Sequence, residues 1–153
     1  MQRQAIGFYL DQEGDWTAKL DCYHAQHVRH IPPLSERAWV LTPEGRDAHI
    51  GMALNCVRCD ALEFPEGLTA YKETPEFTEL SIPKGLLKDH STKAGVWGQI
   101  QVSSGSLNYS LSSSGLAQLI GAGETGYIPP EVKHRVAAEG KVTFKVVFFK
   151  PGS

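Results

Sequence analysis

Long hydrophobic runs are missing from this 153-residue chain, and so is any run of Lys or Arg. The first absence leaves nothing to span a membrane, and the apolar stretch before Asp11 is too short for a signal-peptide core. A cytoplasmic protein without a membrane partner is therefore expected. The second absence, with a formal net charge of −2, removes the basic footprint that nucleic-acid binding requires. Charge is missing altogether between Ala94 and Gly123, where seven serines and six glycines interrupt the apolar residues and indicate a β region. Cysteine is scarce too. Cys22, Cys56 and Cys59 are an odd count, which argues against a disulfide framework and toward thiolate ligation or redox work.

What is present is a globular composition, 41% hydrophobic and 21% charged, which excludes a largely disordered or coiled-coil chain. The length suits one ordinary domain, or two small ones that would each need something besides a core. Residues 1 to 62 read as a small α+β module. AIGFYL and WTAKL, separated by the polar turn Asp11 to Asp15, form a hairpin that delivers Cys22. Thr42 caps a short helix from Pro43 to about Ile50, stopped by Gly51, and LNCVRCD closes the module as a strand. A linker or entry loop covers residues 63 to 70. Beyond it, FTELSI, VWGQIQV, SLNYSL, LAQLI, TGYIP, HRVAA and KVTFKVVFF are short strands spaced as in a sandwich or barrel.

The sharpest chemical signal is Cys22-Tyr23-His24 set against Cys56-Val57-Arg58-Cys59. Tetrahedral Zn²⁺ takes four soft or borderline ligands, and a C-x-x-C knuckle presents two thiolates from one turn. Cys22 supplies a third, and His24 faces the same side if the backbone between them is extended. His27 and His30 are alternatives to His24 if the chain turns sharply. A module of this size usually needs such a staple, and a closed four-ligand site is structural rather than catalytic. The competing reading is a redox pair, but a redox C-x-x-C normally opens a helix beside a βαβ pattern, and neither neighbour is expected here.

The stretch from Gly7 to Asp60, with C-x-H-x-Q-H-V-R-H-x-P-P and N-C-x-x-C-D, resembles a small family of uncharacterised bacterial proteins sometimes labelled pressure-regulated. That resemblance implies no activity. The second half, through Tyr71 to Phe77, Ile82 to Leu87, His90 to Gly98, Ile128 to His134 and the final FKVVFF, resembles the TehB/YeaR-like domain, a cupin-type β-barrel related to tellurite resistance. The resemblance implies a double-stranded β-helix over residues 63 to 153, and a fold class that is mainly β behind a zinc-stabilised α+β module. It does not carry methylation, since no methyltransferase domain follows.

Against the general cupin pattern, Gly123, Pro129 and His134 are in register, with Glu131 where a glycine is usual. The other metal-binding motif is absent: Gly98 stands at the glutamate position, Ser91 to Ala94 span the two histidine positions, and His90 is one residue out of place. His134 and His90 are therefore candidate ligand-binding residues, and a second metal in the barrel is not expected. No nucleophile with its base and no phosphate loop is evident, which favours a binding role over an enzymatic one. The expectation is a non-enzymatic protein binding a small molecule or oxyanion in a bacterial stress response. A metal-dependent cupin enzyme acting on a small polar substrate and an interaction adaptor are the alternatives. Barrels of this type commonly pair through edge strands, which implies a homodimer.

Overall fold

The computed structural model describes residues 1 to 152, which divide into two compact units, Met1–Glu66 and the part beginning at Gly67. No helix among the described residues is long and apolar enough to cross a membrane.

The first unit is built on an antiparallel four-stranded sheet. Its strands are β1 (Gln2–Leu10), β2 (Trp16–Leu20), β3 (Ala25–His27) and β4 (Ala53–Asn55), in the order β3-β2-β1-β4. The Asp11 carboxylate accepts from the backbone N–H groups of Glu13 and Asp15, which fixes the turn between β1 and β2. Helix α1 (Pro43–Ala48) begins where Thr42 accepts from the Gly45 N–H, with proline at its first position. The expected strand LNCVRCD ends at Asn55. Cys56 is instead the N-cap of a single helical turn, α2 (Val57–Asp60). The C-x-x-C thus does open a helix, but every strand pairing in this sheet is antiparallel, so no βαβ unit accompanies it.

Among the described residues, the second unit consists of strands and loops apart from one 3₁₀ turn at Lys84–Leu87. Its strands are β5 (Leu68–Glu73), β6 (Phe77–Thr78), β7 (Trp97–Leu111), β8 (Ala117–Gly121), β9 (Thr125–Ile128) and β10 (His134–Pro151). VWGQIQV and SLNYSL are one strand here, and so are HRVAA and KVTFKVVFF. The glycines and serines that read as turns are bulges inside long strands, where the β7–β10 register shifts between Ala138 and Val142. Gly105 pairs with Val142 at this bend with a φ of +74°, and a Cβ there would collide with the Lys141 carbonyl. β5 and β6 pair with β10, and β8 and β9 pair with β7. Alternate residues of the long strands, among them Ile100, Val102, Val136, Phe144 and Val146, point inward and are buried. The molecule is therefore mainly β, a small α+β unit followed by a cupin-like barrel.

Candidate functional site

Cys22 leaves the end of β2 and enters a tight turn. The backbone is not extended between Cys22 and His24: Tyr23 has a φ of 72°, in the left-handed region where a tyrosine is strained. The turn is closed by Tyr23 N–H donating to Leu20 O at 2.8 Å and Leu20 N–H donating to His24 O at 2.9 Å. It brings the side chains on either side of Tyr23 to one buried point. β4 delivers Cys56 to the same point, held by its N–H donating to Met1 O at 2.7 Å, and the turn of α2 adds Cys59.

His24 Nδ1 lies 3.5, 3.4 and 3.6 Å from the sulfurs of Cys22, Cys56 and Cys59, and the Cys22 and Cys56 sulfurs are 3.8 Å apart. A tetrahedron with metal–sulfur bonds of about 2.3 Å and a metal–nitrogen bond of about 2.0 Å has edges of about 3.8 and 3.5 Å. The spacing of the four donors fits that figure. His24 Nε2 sits 2.7 Å from Glu63 O, and because a carbonyl only accepts, Nε2 carries the proton and Nδ1 turns its lone pair toward the sulfurs. Cys22 and Cys59 are 0% exposed, Cys56 and His24 3%, so the cluster has no open face. None of the cysteines is in a disulfide.

Crowding divides the thiols. The hydrogen bond from Cys59 holds the Cys22 thiol well below its ordinary range, and the same bond with burial pushes Cys59 far up. Burial also raises Cys56. Left to themselves, the three sulfurs thus favour a single negative charge, whereas a cation among them would let all three ionise. Arg3, buried to 6% exposure, bears on this site by favouring ionised Cys59, and its Nε has no hydrogen-bond partner. Sequence reasoning missed Arg3. Its only signal is register, since it shares the inward face of β1 with buried Ala5.

The alternatives to His24 lie elsewhere in the unit. His27 Nε2 pairs with Asp11 at 2.8 Å, and His30 Nδ1 accepts from the Arg37 N–H at 2.9 Å. Asp11, Asp15 and His27 form a second group of donor atoms, more exposed than the first and engaged in ion pairs that brace the β1–β2 turn.

In the second unit, a cavity of about 110 Å³ is lined by Leu86, Ile100, Ile128, Val136, Phe144, Val146 and Phe148, with Thr74, His90, Ser91, Thr92 and His134 as its polar members. His90, one residue out of place in the cupin pattern, reaches His134 after all. Their backbones exchange hydrogen bonds of 3.0 and 2.8 Å, and their ring centroids are 4.0 Å apart. Burial drives the pKa of His134 down to about 4, leaving a neutral imidazole at ordinary pH. Its Nδ1 is 2.8 Å from Val132 O, and the Nδ1 of His90 is 3.0 Å from Lys88 O. Glu131 takes the left-handed conformation that the usual glycine would supply, with a φ of 61°. No third His, Cys, Asp or Glu among the described residues joins the two histidines as a metal-holding group.

Residues 72–146 match the family model described as the TehB-like domain. Residues 6–63 match a different model, described as a protein of unknown function (DUF3565). Among solved structures, a protein from Escherichia coli K12 is 24% identical over 60% of this chain and 98% of its own, with a TM-score of 0.56. TehB from Haemophilus influenzae is 25% identical over 56% of this chain, with a TM-score of 0.52. A cupin-2 domain protein from Shewanella frigidimarina is 17% identical over 56% of this chain and 67% of its own, at a TM-score of 0.34. The chain spans 32% of the Haemophilus TehB, so the likeness concerns the TehB-like domain and not that whole protein. No curated protein matches the chain.

Proposed function

We propose that this chain is a non-enzymatic small-molecule-binding protein, its TehB-like barrel holding the ligand and a structural zinc ion holding the first unit. The observation that carries the binding role is the apolar cavity of about 110 Å³ with His90 and His134 in its wall. Cys22, His24, Cys56 and Cys59 would hold the zinc. A closed set of three thiolates and one imidazole leaves no position for water or substrate, so the ion cross-links the fold and supplies no reaction. The TehB-like match supports a setting in a bacterial stress response of the tellurite-resistance kind.

Between a small molecule and an oxyanion, the cavity favours the former. An oxyanion needs donors or a positive charge, and neutral His134 with its Nδ1 committed to Val132 O offers neither. One observation favours the second reading, a metal-dependent cupin enzyme: His90 lies close enough to His134 to share a ligand or an ion. Metal analysis of protein purified without added metal separates the two. One zinc per chain, without iron, manganese or nickel and unchanged by His134→Ala, is the expected result. A second first-row metal lost on that substitution would replace the binding reading with the enzymatic one.

A further inference from the structure

The barrel cavity also constrains the chemistry of what it takes. We propose that its ligand is an uncharged molecule of about five or six non-hydrogen atoms, apolar over most of its surface, that donates one N–H or O–H hydrogen bond to His134. This rests on the small-molecule reading above and narrows it.

Size comes first. An apolar cavity of about 150 Å³ accommodates benzene, so the smaller space of about 110 Å³ suits a five-membered ring or a short branched alcohol. The walls decide polarity. Seven of the lining side chains are aliphatic or aromatic, and no Lys, Arg, Asp or Glu is among them. Bringing a charge into that space would cost its hydration without an opposite charge to offset the loss.

Hydrogen-bond accounting then sets the direction. Thr74 Oγ1 donates to Pro75 O and accepts from Val146 N–H. Thr92 Oγ1 donates to Pro129 O and accepts from Glu131 N–H. Each hydroxyl has thus spent its proton on the protein. His134 and His90 have spent theirs in the same way, because each Nδ1 faces a backbone carbonyl, which can only accept. What neutral His134 has left is the Nε2 lone pair, an acceptor. Ser91, on the exposed rim, is the one lining hydroxyl not committed by these bonds. The one buried polar side chain of the cavity, His134, therefore asks for a donor, and an apolar ligand without one would leave its Nε2 desolvated and unpaired.

Pyrrole and furan test this as a matched pair, since the rings are alike in size and only pyrrole carries an N–H. Titrations of the full-length, isotopically labelled chain are followed by NMR at the His90 and His134 rings and the Ile100 and Val146 amides. Pyrrole is expected to bind about five-fold more tightly than furan, the worth of one neutral hydrogen bond. In His134→Phe, which keeps a ring and removes the acceptor, that ratio should collapse to about one. The pair measured on the unchanged protein decides the matter even if the variant does not fold. Equal binding of pyrrole and furan would overturn the inference and leave the small-molecule reading standing. Phosphate or tellurite perturbing the cavity while pyrrole does not would overturn the inference in favour of an anion. If none of the probes perturbs the cavity, the inference and the small-molecule reading fall together.

Discussion

The two units bury different things. In the first, the buried apolar residues are Ala5, Ala18, Leu20, Cys22, Val28, Val40, Leu54, Cys56, Cys59 and Leu62, three of them cysteines and none aromatic. In the second, Trp97, Tyr109 and Phe144 lie among Ile100, Leu107, Leu111, Ile128 and Val142. Burial stabilises by area, at about 25 cal/mol per Å², so a set half made up of alanines and thiols, and without an aromatic ring, contributes less than a set of aromatic and branched side chains. The difference teaches that the first unit's core is organised around its Cys/His cluster, whereas the barrel is organised around two long strands and the large side chains they bury.

That contrast can be broken most sharply at Cys59. Cys59→Ala removes one donor from a four-donor site, and metal binding in so small a unit is coupled to its folding. We expect loss of the bound ion and of amide protection throughout residues 1–66, with the amides of β7 and β10 still protected. Hydrogen exchange with mass spectrometry reads both at once. Full metal content with unchanged protection would mean that the cysteines are merely core.

A smaller effect should mark the barrel alone. The folded state holds the His134 pKa at about 4, whereas the ordinary value is 6.5. Between those limits the unfolded chain binds a proton that the folded chain refuses, so stability is full above about pH 6.5 and falls as the pH drops toward 4. The loss amounts to about 3 kcal/mol at most. Chemical unfolding monitored by Trp97 fluorescence in a Trp16→Phe/Trp39→Phe background across that range should show the slope, and adding His134→Phe should flatten it. A slope that survives the substitution would assign it to other groups.

The smallest change concerns Glu131. Its left-handed backbone costs a side-chain-bearing residue roughly 1 kcal/mol, so Glu131→Gly should raise the stability of the barrel by about that amount, less the extra freedom glycine gains when unfolded. A thermal melt that moves downward would show that Glu131 contributes contacts outweighing its strain.

Much of this was legible because ligand chemistry restricts residue type. Few arrangements other than a metal site place three thiols and an imidazole in a short module, so Cys22, His24, Cys56 and Cys59 could be singled out together. How they converge was not legible. The left-handed turn at Tyr23 and the helical turn after Cys56 are imposed by tertiary closure on residues whose local preference is extended. In the barrel, inward alternation along β10 was readable, but Gly105 and Gly140 are the same letters whether they make a turn or a bulge. His90 eluded the cupin spacing because it reaches the cavity by a backbone bridge to His134 from outside any strand, a pairing that motif arithmetic does not encode.

The β7–β10 ribbon has a consequence for the order in which the barrel assembles. Its pairs range from Leu111 with His134 to Trp97 with Phe149, nested so that each successive pair encloses a longer stretch of chain. Closing the outermost loop costs roughly 0.7 kcal/mol more chain entropy than closing the innermost, so pairing is favoured to start at the His134 end and zip outward. A transition state structured at Leu111 and loose at Trp97, measured by φ-values, is the signature; the reverse gradient would refute it. The residue whose burial costs the barrel most at low pH would then sit where its folding begins, and acid would slow the folding of the barrel as well as weaken it.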